Sequence, residues 1–327
     1  MNNSEKKECA YKRIDGSRCP GDVDEIGEFC FWHDRDASKE GEDVKTRLEQ
    51  WAQSGESMEG FQLRYARLEG IHLHNMPGYD MRNSNLFRAQ LQGGHLFNLD
   101  LRGSDLLKAD LSGANLNEAK LENADLLGAN FSGTRMERTE LGSVAVQHRL
   151  AVSAEKLGDR KDALKNYEEA EEVYRSLRQA HEGSGHKDEA GQFFLLEMTM
   201  RRKQMPVWSG GRIWAKSVDL FCAYGESPPR VIGSSLLFNL LCAVVYFLVG
   251  VNGPQGPIKF NLQAGFLDNA AGYFNCVYYS VVTFTTLGYG EITPPPGVLR
   301  PLAAVQAFTG AFMMAMFVAV FGQKMTR

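Results

Sequence analysis

From Leu86 onward an apolar residue returns at every fifth position: Leu91, Leu96, Leu101, Leu106, Leu111, Leu116, Leu121, Leu126, Phe131, Met136 and Leu141. Neither an α-helix, with a period of about 3.6 residues, nor a strand, with a period of about two, repeats in that way. Two residues before most of these positions stands a small side chain, among them Ala89, Gly94, Ser104, Ala109, Ala114, Ala119, Ala124 and Ala129. The phase slips once. Leu63, Leu68 and Leu73 share one register and Met76, Met81 and Leu86 another, which places a bulge between His74 and Asp80, around Pro77 and Gly78. Downstream the pattern turns helical: Ala163, Tyr167, Ala170, Tyr174 and Leu177 recur at intervals of four and three. Glycines between Glu182 and His186 end that stripe, and a second helix is predicted from about Lys187 to Gln204.

Pro206 stops the second helix, and Trp208, Ile213, Trp214, Val218, Phe221 and Tyr224 then interleave with Arg212, Lys216 and Asp219. This predicts an amphipathic helix within 206–230, lying at a membrane interface, where aromatic rings favour the headgroup layer. An ordinary surface helix packed on the hairpin is the alternative. Val231 to Val251 carries no charge and, at about 1.5 Å per residue, is long enough for a hydrocarbon core of about 30 Å. Pro301 to Gly322 is a second uncharged span, with Gln306 and Thr309 as its main polar positions. Between the spans, Gly272 to Thr285 is apolar but too short to cross, so a re-entrant helix buried against protein is expected.

Composition changes the picture only when split. The 327 residues are 23% charged with net charge −4, the profile of a mainly soluble, multidomain chain. The average conceals a polar front, residues 1 to 230, joined to an apolar tail, 231 to 327. No signal-peptide pattern precedes the front, which is expected to remain in the cytoplasm, where the six cysteines should stay reduced. No nucleophile, acid–base or cofactor constellation stands out, so an enzyme is not expected.

Three of the cysteines cluster. Cys9, Cys19, Cys30 and His33 follow the spacing C-x9-C-x10-C-x2-H, with Gly16, Gly21 and Gly27 able to turn the chain between them. A Cys3His set closes the tetrahedral shell that Zn2+ prefers and leaves no open catalytic position. So short a segment has little core of its own, and structural zinc supplies roughly 10–16 kcal/mol in such peptides. The pattern resembles short Cys3His modules of several families; a disordered tail with reduced thiols is the alternative. Lys6, Lys7, Lys12, Arg13 and Arg18 are offset by Asp22, Asp24, Glu25 and Glu28, so no basic face for nucleic acid forms. Residues 34 to 60 read as a charged, flexible linker with one short helix around Val44 to Ala52.

The five-residue period, with small residues followed by Asp or Asn, resembles the A-(D/N)-L-x-x pattern of the pentapeptide-repeat family. That resemblance implies a right-handed quadrilateral β-solenoid with leucines and small side chains inside. Such solenoids can also mimic DNA, which keeps a DNA-mimic inhibitor as a rival reading. The predicted helices at 144–205 resemble one tetratricopeptide-type unit, which buries its face poorly alone and so implies packing on the solenoid or on a protein partner.

Thr285-Thr286-Leu287-Gly288-Tyr289-Gly290 resembles the potassium-channel filter Thr-Val-Gly-Tyr-Gly, with Leu287 in place of valine. A span, a pore helix with Tyr278-Tyr279, this filter, Glu291 and a second span together resemble the two-transmembrane potassium-channel pore domain. The resemblance implies K+ as the permeant ion, coordinated by carbonyls of Thr286, Leu287, Gly288 and Tyr289 in an extended strand, with Gly290 shaping the outer mouth. Tyr289 is expected to pack outward as a spacer. It also implies a homotetramer in a lipid bilayer. Gly310 falls where the family commonly keeps an inner-helix hinge; close helix packing is the other reading. Met313, Met314, Phe317 and Phe321 are expected to line the cavity, Phe317 and Phe321 as a hydrophobic gate, with lipid or subunit contacts as the alternative. Val282 stands where some relatives place a carboxylate that braces the filter.

Arg201, Arg202, Lys203, Arg212, Lys216 and Arg230 precede the first span and Lys324 and Arg327 follow the second, so both termini are expected in the cytoplasm of a cell-membrane protein. The expected fold class is multidomain: a zinc module (1–45), a linker (46–60), the solenoid (61–143), an α-helical hairpin (144–205), an interfacial helix (206–230) and an all-α two-transmembrane tetrameric ion-channel pore (231–327). Within the pore the outer helix is placed at 231–251, the pore helix at 272–285, the filter at 286–290 and the inner helix at 301–322. The expected function is K+-selective transport regulated from the N-terminal side. The alternative is a membrane-anchored pentapeptide-repeat interaction protein with a non-conducting pore.

Overall fold

The structure is a computed structural model that describes residues 8–23, 27–73 and 79–325. Lys6, Lys7, Asp24, Glu25, the bulge residues His74 to Gly78 and Arg327 lie outside the described residues. The chain divides into two compact units, Met1–Arg212 and Ile213–Arg327.

In the first unit the five-residue period becomes a ladder of parallel bridges between residues twenty apart: Asp80↔Asp100, Asn85↔Asp105, Gln90↔Asp110 and His95↔Asn115 open its four sides. Four sides of five residues make one coil. The earlier pairs Gln62↔Asn85, Arg67↔Gln90 and His72↔His95 are offset by twenty-three, so three extra residues enter where the sequence phase slips. Each side contributes a single bridge residue rather than a strand, so the solenoid holds less sheet than its expected β class suggests.

A β-turn makes each corner. Ala89 N–H donates to Leu86 O at 2.9 Å, and Arg88 between them has φ +53°. Two coils on, Gly128 fills the equivalent corner with φ +67°, an angle glycine adopts without the strain a side chain brings. Leu106, Leu111 and Leu116 are fully buried inside, beside Ala109, Ala114 and Ala119. Where a hydroxyl replaces alanine it reaches the preceding coil: Ser84, Ser104 and Thr134 donate to Met58 O, Met81 O and Leu111 O at 3.0, 2.9 and 2.8 Å.

Both ends of this rod are covered. At the first coil, Trp32 stacks on Phe61 at 5.1 Å and accepts Gln62 N–H at 2.7 Å. Helix α1 (Asp43–Gln53) buries Val44, Leu48 and Ala52 in the same core. The stretch expected as a flexible linker is therefore packed, with Lys39 and Glu59 buried along with these apolar residues. At the last coil sit three helices, α2 (Val146–Leu157), α3 (Arg160–Gly183) and α4 (Lys187–Gln204). Val173, Leu177 and Ala180 of α3 join the solenoid core, and Ser184 donates to Thr134 O at 3.0 Å. The expected hairpin is α3 and α4; α2 precedes it. Gly158 in the left-handed region ends α2, and the Asp159 carboxylate accepts Asp162 N–H to start α3.

The second unit holds most of α5 (Gly210–Cys222), a 3-10 turn (Ala223–Gly225), α6 (Pro228–Val249), a hairpin of β1 (Val251–Gly253) and β2 (Gly256–Ile258), α7 (Phe266–Phe284) and α8 (Leu299–Met325). The amphipathic helix is shorter than the predicted 206–230, because glycines and Pro228 bracket it. Helix α7 starts earlier than predicted, at Phe266, capped by Gly265. Helices α6 and α8 are each long and apolar enough to cross a membrane. Cys242, Ala243 and Tyr246 of α6 pack with Cys276 and Tyr279 of α7 and with Leu299 of α8.

Leu111→Ala is expected to destabilise the protein by about 2–5 kcal/mol, whereas Leu157→Ala, at an 85% exposed position, should change it by less than about 0.5 kcal/mol; denaturant unfolding distinguishes them. His181 of α3 is buried with neither ring nitrogen hydrogen-bonded, near His186, Glu189 and Phe193. Burial holds its pKa below the ordinary imidazole value, so the unfolded chain binds the proton more readily. Stability should fall as pH drops below about 6.5, and His181→Leu should flatten that loss in unfolding midpoints between pH 7 and 5.

Candidate functional site

Helix α7 ends in threonines. Thr285 donates its N–H and its hydroxyl to Val281 O at 2.9 and 2.8 Å. The chain then leaves helical geometry: Leu287 and Gly288 N–H both turn back to Val282 O, at 3.1 and 3.4 Å. The φ angles of Thr286, Gly288 and Gly290 are +59°, +57° and +90°, while Leu287 and Tyr289 stay on the negative side. Residues of positive and negative φ thus alternate, a pattern that turns neighbouring amides to one side, and Leu287 and Gly288 N–H do share one acceptor. A row of carbonyls on one side suits a dehydrated cation. The expected extended strand is replaced by this alternation, since an extended chain points successive carbonyls in opposite directions. Thr286 adopts its left-handed angle without being glycine, a local strain that the hydrogen bonds around it hold in place.

Around this segment lies a cavity of about 340 Å³ lined by Tyr278, Val282, Thr283, Gly288, Gly290 and Glu291 among others. Tyr278 O–H donates to Glu291, tying α7 to the segment's outer end. Val282 contributes its carbonyl rather than a carboxylate, with its side chain buried. In the single chain Leu287 and Tyr289 are 60% and 68% exposed. Gly310 of α8 meets the end of α7 so closely that a Cβ there would lie 1.9 Å from Phe284 O. Close packing is thus the observed reason for glycine. Phe317 and Phe321 stack one turn apart on α8 at 5.6 Å.

The second cluster brings Cys9, Cys19, Cys30 and His33 together, all buried, with ligand atoms within 4.8 Å of one another. Cys19 Sγ lies 3.7 Å from Cys30 Sγ, and His33 Nδ1 lies 3.6 Å from Cys9 Sγ and 3.3 Å from Cys30 Sγ. A tetrahedron with metal–sulfur bonds of about 2.3 Å and metal–nitrogen bonds of about 2.0 Å has edges of about 3.8 and 3.5 Å, so the four residues could hold a metal ion. His33 Nε2 donates to Glu59 O at 2.8 Å, which leaves the Nδ1 lone pair facing the thiols. Tyr11 stacks on the His33 ring at 3.9 Å and fixes its plane. A Cβ on Gly21 would sit 2.8 Å from Cys30 Cβ, so the cluster leaves room only for glycine. Burial pushes the Cys9 thiol up; Cys30 is pushed up to about 12, first by its hydrogen bond to Cys19 and then by burial. The same hydrogen bond lowers Cys19, which gives up its proton most readily of the three.

The sequence reading passed over two groups. Glu59, almost fully buried, accepts from Tyr11 O–H and Ile14 N–H and joins the cysteine–histidine cluster to the first coil. Asn239 and Ser280 meet Gln306 in the second unit; a lone amide inside each apolar span was the readable signal.

Comparison with known proteins divides the chain in the same two places. Residues 234–327 match a family model described as ion channel. Segments 84–123, 95–133 and 104–142 match pentapeptide repeats. No curated protein matches the chain. Among solved structures, HetL, a pentapeptide repeat protein involved in heterocyst differentiation regulation in the cyanobacterium Nostoc sp., is 31% identical, with a TM-score of 0.17 over 26% of this chain and 40% of HetL. Rfr23, a pentapeptide repeat protein of the cyanobacterium Cyanothece, is 31% identical, with a TM-score of 0.15 over 25% of this chain and 54% of its own. A thylakoid-lumen pentapeptide repeat protein of Arabidopsis thaliana is 25% identical, with a TM-score of 0.15 over 31% of this chain and 72% of its own. The chain thus spans less than two thirds of HetL and of Rfr23. Neither matched family is one of enzymes. Residues 234–327 are thus similar to an ion-channel family and residues 84–142 to pentapeptide repeats, in one chain.

Proposed function

We propose that this chain is the subunit of a potassium-selective channel that assembles as a homotetramer and carries K+ passively across the cell membrane. The observation that carries the reading is the alternating backbone from Thr286 to Gly290 at the end of α7. Carbonyls of Thr286, Leu287, Gly288 and Tyr289 replace the ion's hydration shell, the Thr286 hydroxyl adds an oxygen at the inner end, and Gly290 shapes the outer mouth. One chain supplies one row of carbonyls, so a closed oxygen cage needs further copies around an axis. The C-terminal dipole of α7 favours a cation at the inner end. Gly310 serves as a pivot of α8, and the Phe317–Phe321 pair closes the pore below it.

Positive charge before α6 and at Lys324 puts both termini in the cytoplasm. Helix α5, with Trp214 and Ile213 exposed, lies in the headgroup layer. The N-terminal solenoid serves regulation or assembly and offers its surface to a protein partner. Zn2+ held by Cys9, Cys19, Cys30 and His33 is structural, closing the first coil.

Purified protein in liposomes is expected to pass K+ at least about a hundredfold faster than Na+. Gly288→Asp, which places a charged side chain at φ +57°, should abolish that preference or the flux. Wild-type protein that passes neither ion would leave a membrane-anchored interaction protein as the better reading. Metal analysis should find zinc bound by the intact chain near neutral pH. Cys19→Ser should lose most of that zinc and lower the unfolding temperature by several degrees, while Ser17→Ala should do neither.

A further inference from the structure

Three helices of the channel domain meet at one buried polar cluster. Asn239 and Tyr246 come from α6, Ser280 from α7 and Gln306 from α8; Tyr246, Ser280 and Gln306 are fully buried and Asn239 is 5% exposed. The Gln306 amide donates to Ser280 Oγ at 2.6 Å, Ser280 O at 3.1 Å and Asn239 Oδ1 at 3.2 Å, and its oxygen accepts Tyr246 O–H at 2.6 Å. Ser280 O–H in turn donates to Asn239 O at 2.8 Å, and Asn239 Nδ2 donates to Ser235 O at 2.9 Å. The amide and hydroxyl groups are matched, which in a water-poor interior makes the cluster hard to rearrange.

Its position gives it a task. Gln306 and Gly310 are one turn apart on α8, and their partners Ser280 and Phe284 are one turn apart on α7. One stripe of the inner helix therefore grips the last turn of α7 at two points. Between those points lies Val282, whose carbonyl receives Leu287 and Gly288 N–H. That turn thus sets where the alternating segment begins, and the side chain of Val282, being apolar, adds no hydrogen bond of its own.

We propose that Gln306, with Ser280 and Asn239, is a positioning residue for the ion-coordinating segment: the cluster clamps the end of α7 to both spans and thereby holds Leu287 and Gly288 in register. The proposal rests on the channel reading for its effect on permeation, but its structural claim concerns two backbone amides and can be read without any flux.

The test uses the full chain in lipid nanodiscs. Gln306→Leu removes the clamp, Tyr246→Phe leaves the Gln306 oxygen without its donor while keeping shape, and Thr309→Val, half-buried on α8 with its hydroxyl on Val305 O, is the control. Hydrogen exchange at Leu287 and Gly288 should rise at least about tenfold in Gln306→Leu and several-fold in Tyr246→Phe, with exchange in the solenoid unchanged. The K+ to Na+ permeability ratio should fall in the same order, while Thr309→Val matches the parent. Unchanged exchange at these two amides in Tyr246→Phe and in any folded Gln306→Leu overturns the clamp. A uniform rise throughout α6 and α8 also overturns it, because the cluster then acts only as general glue. Raised exchange in these variants of a parent protein that itself conducts nothing supports the clamp and overturns the channel reading instead.

Discussion

A backbone that leaves helical geometry inside a membrane has to find a partner for every amide it frees, since no water is there to take it. The segment after α7 meets that demand on one side only. The amides of Leu287 and Gly288 return to Val282 O, while φ alternates in sign from Thr286 to Gly290. Everything near this point follows from the need to keep a sharp change of geometry in place: threonines that end the helix, glycines where φ is positive, and an inner helix with glycine where α7 comes closest.

The first unit answers a different constraint. A coil of five-residue sides is saturated with hydrogen bonds along its length but exposes apolar faces and unpaired backbone at each end. Both ends are covered by unlike devices. At the first coil the cover is a cysteine–histidine cluster with Trp32, Phe61 and α1; at the last it is α3 with its neighbours. Polar joints fasten both seams: His33 to Glu59 O and Gln62 N–H to Trp32 O at the first, Ser184 to Thr134 O and Gln147 to Asp125 at the last.

Features that depend on local periodicity were legible in the sequence. The five-residue period anticipated the ladder, and the slip between Leu73 and Met81 appears as an offset of twenty-three in place of twenty. The ligand spacing anticipated which four side chains meet, and glycines at 183–185 marked the turn between α3 and α4. Features that depend on a distant partner were not. The short helix around Val44 to Ala52 was legible as α1, but its packing was not: only the first coil gives Val44, Leu48 and Ala52 a core to enter. Helix α2 has too few buried positions, Gln147 and Ala151, to announce itself by pattern. In the candidate site the glycines were readable, but the left-handed angle of Thr286 was not, because it is imposed by the bonds around it. Asn239, Ser280 and Gln306 are far apart in sequence, and nothing local to any one of them names the other two.

A rod whose coils touch only their neighbours has no centre that must fail first; it comes apart by fraying. Interior coils are held from both sides, so unzipping begins where a cover lifts. The two covers are built of different chemistry: the helical one of packing and charge, the other of three thiols and an imidazole. With zinc held there as proposed, the end of the solenoid remote in sequence from residues 234–327 would be the one whose fraying metal supply and thiol oxidation set.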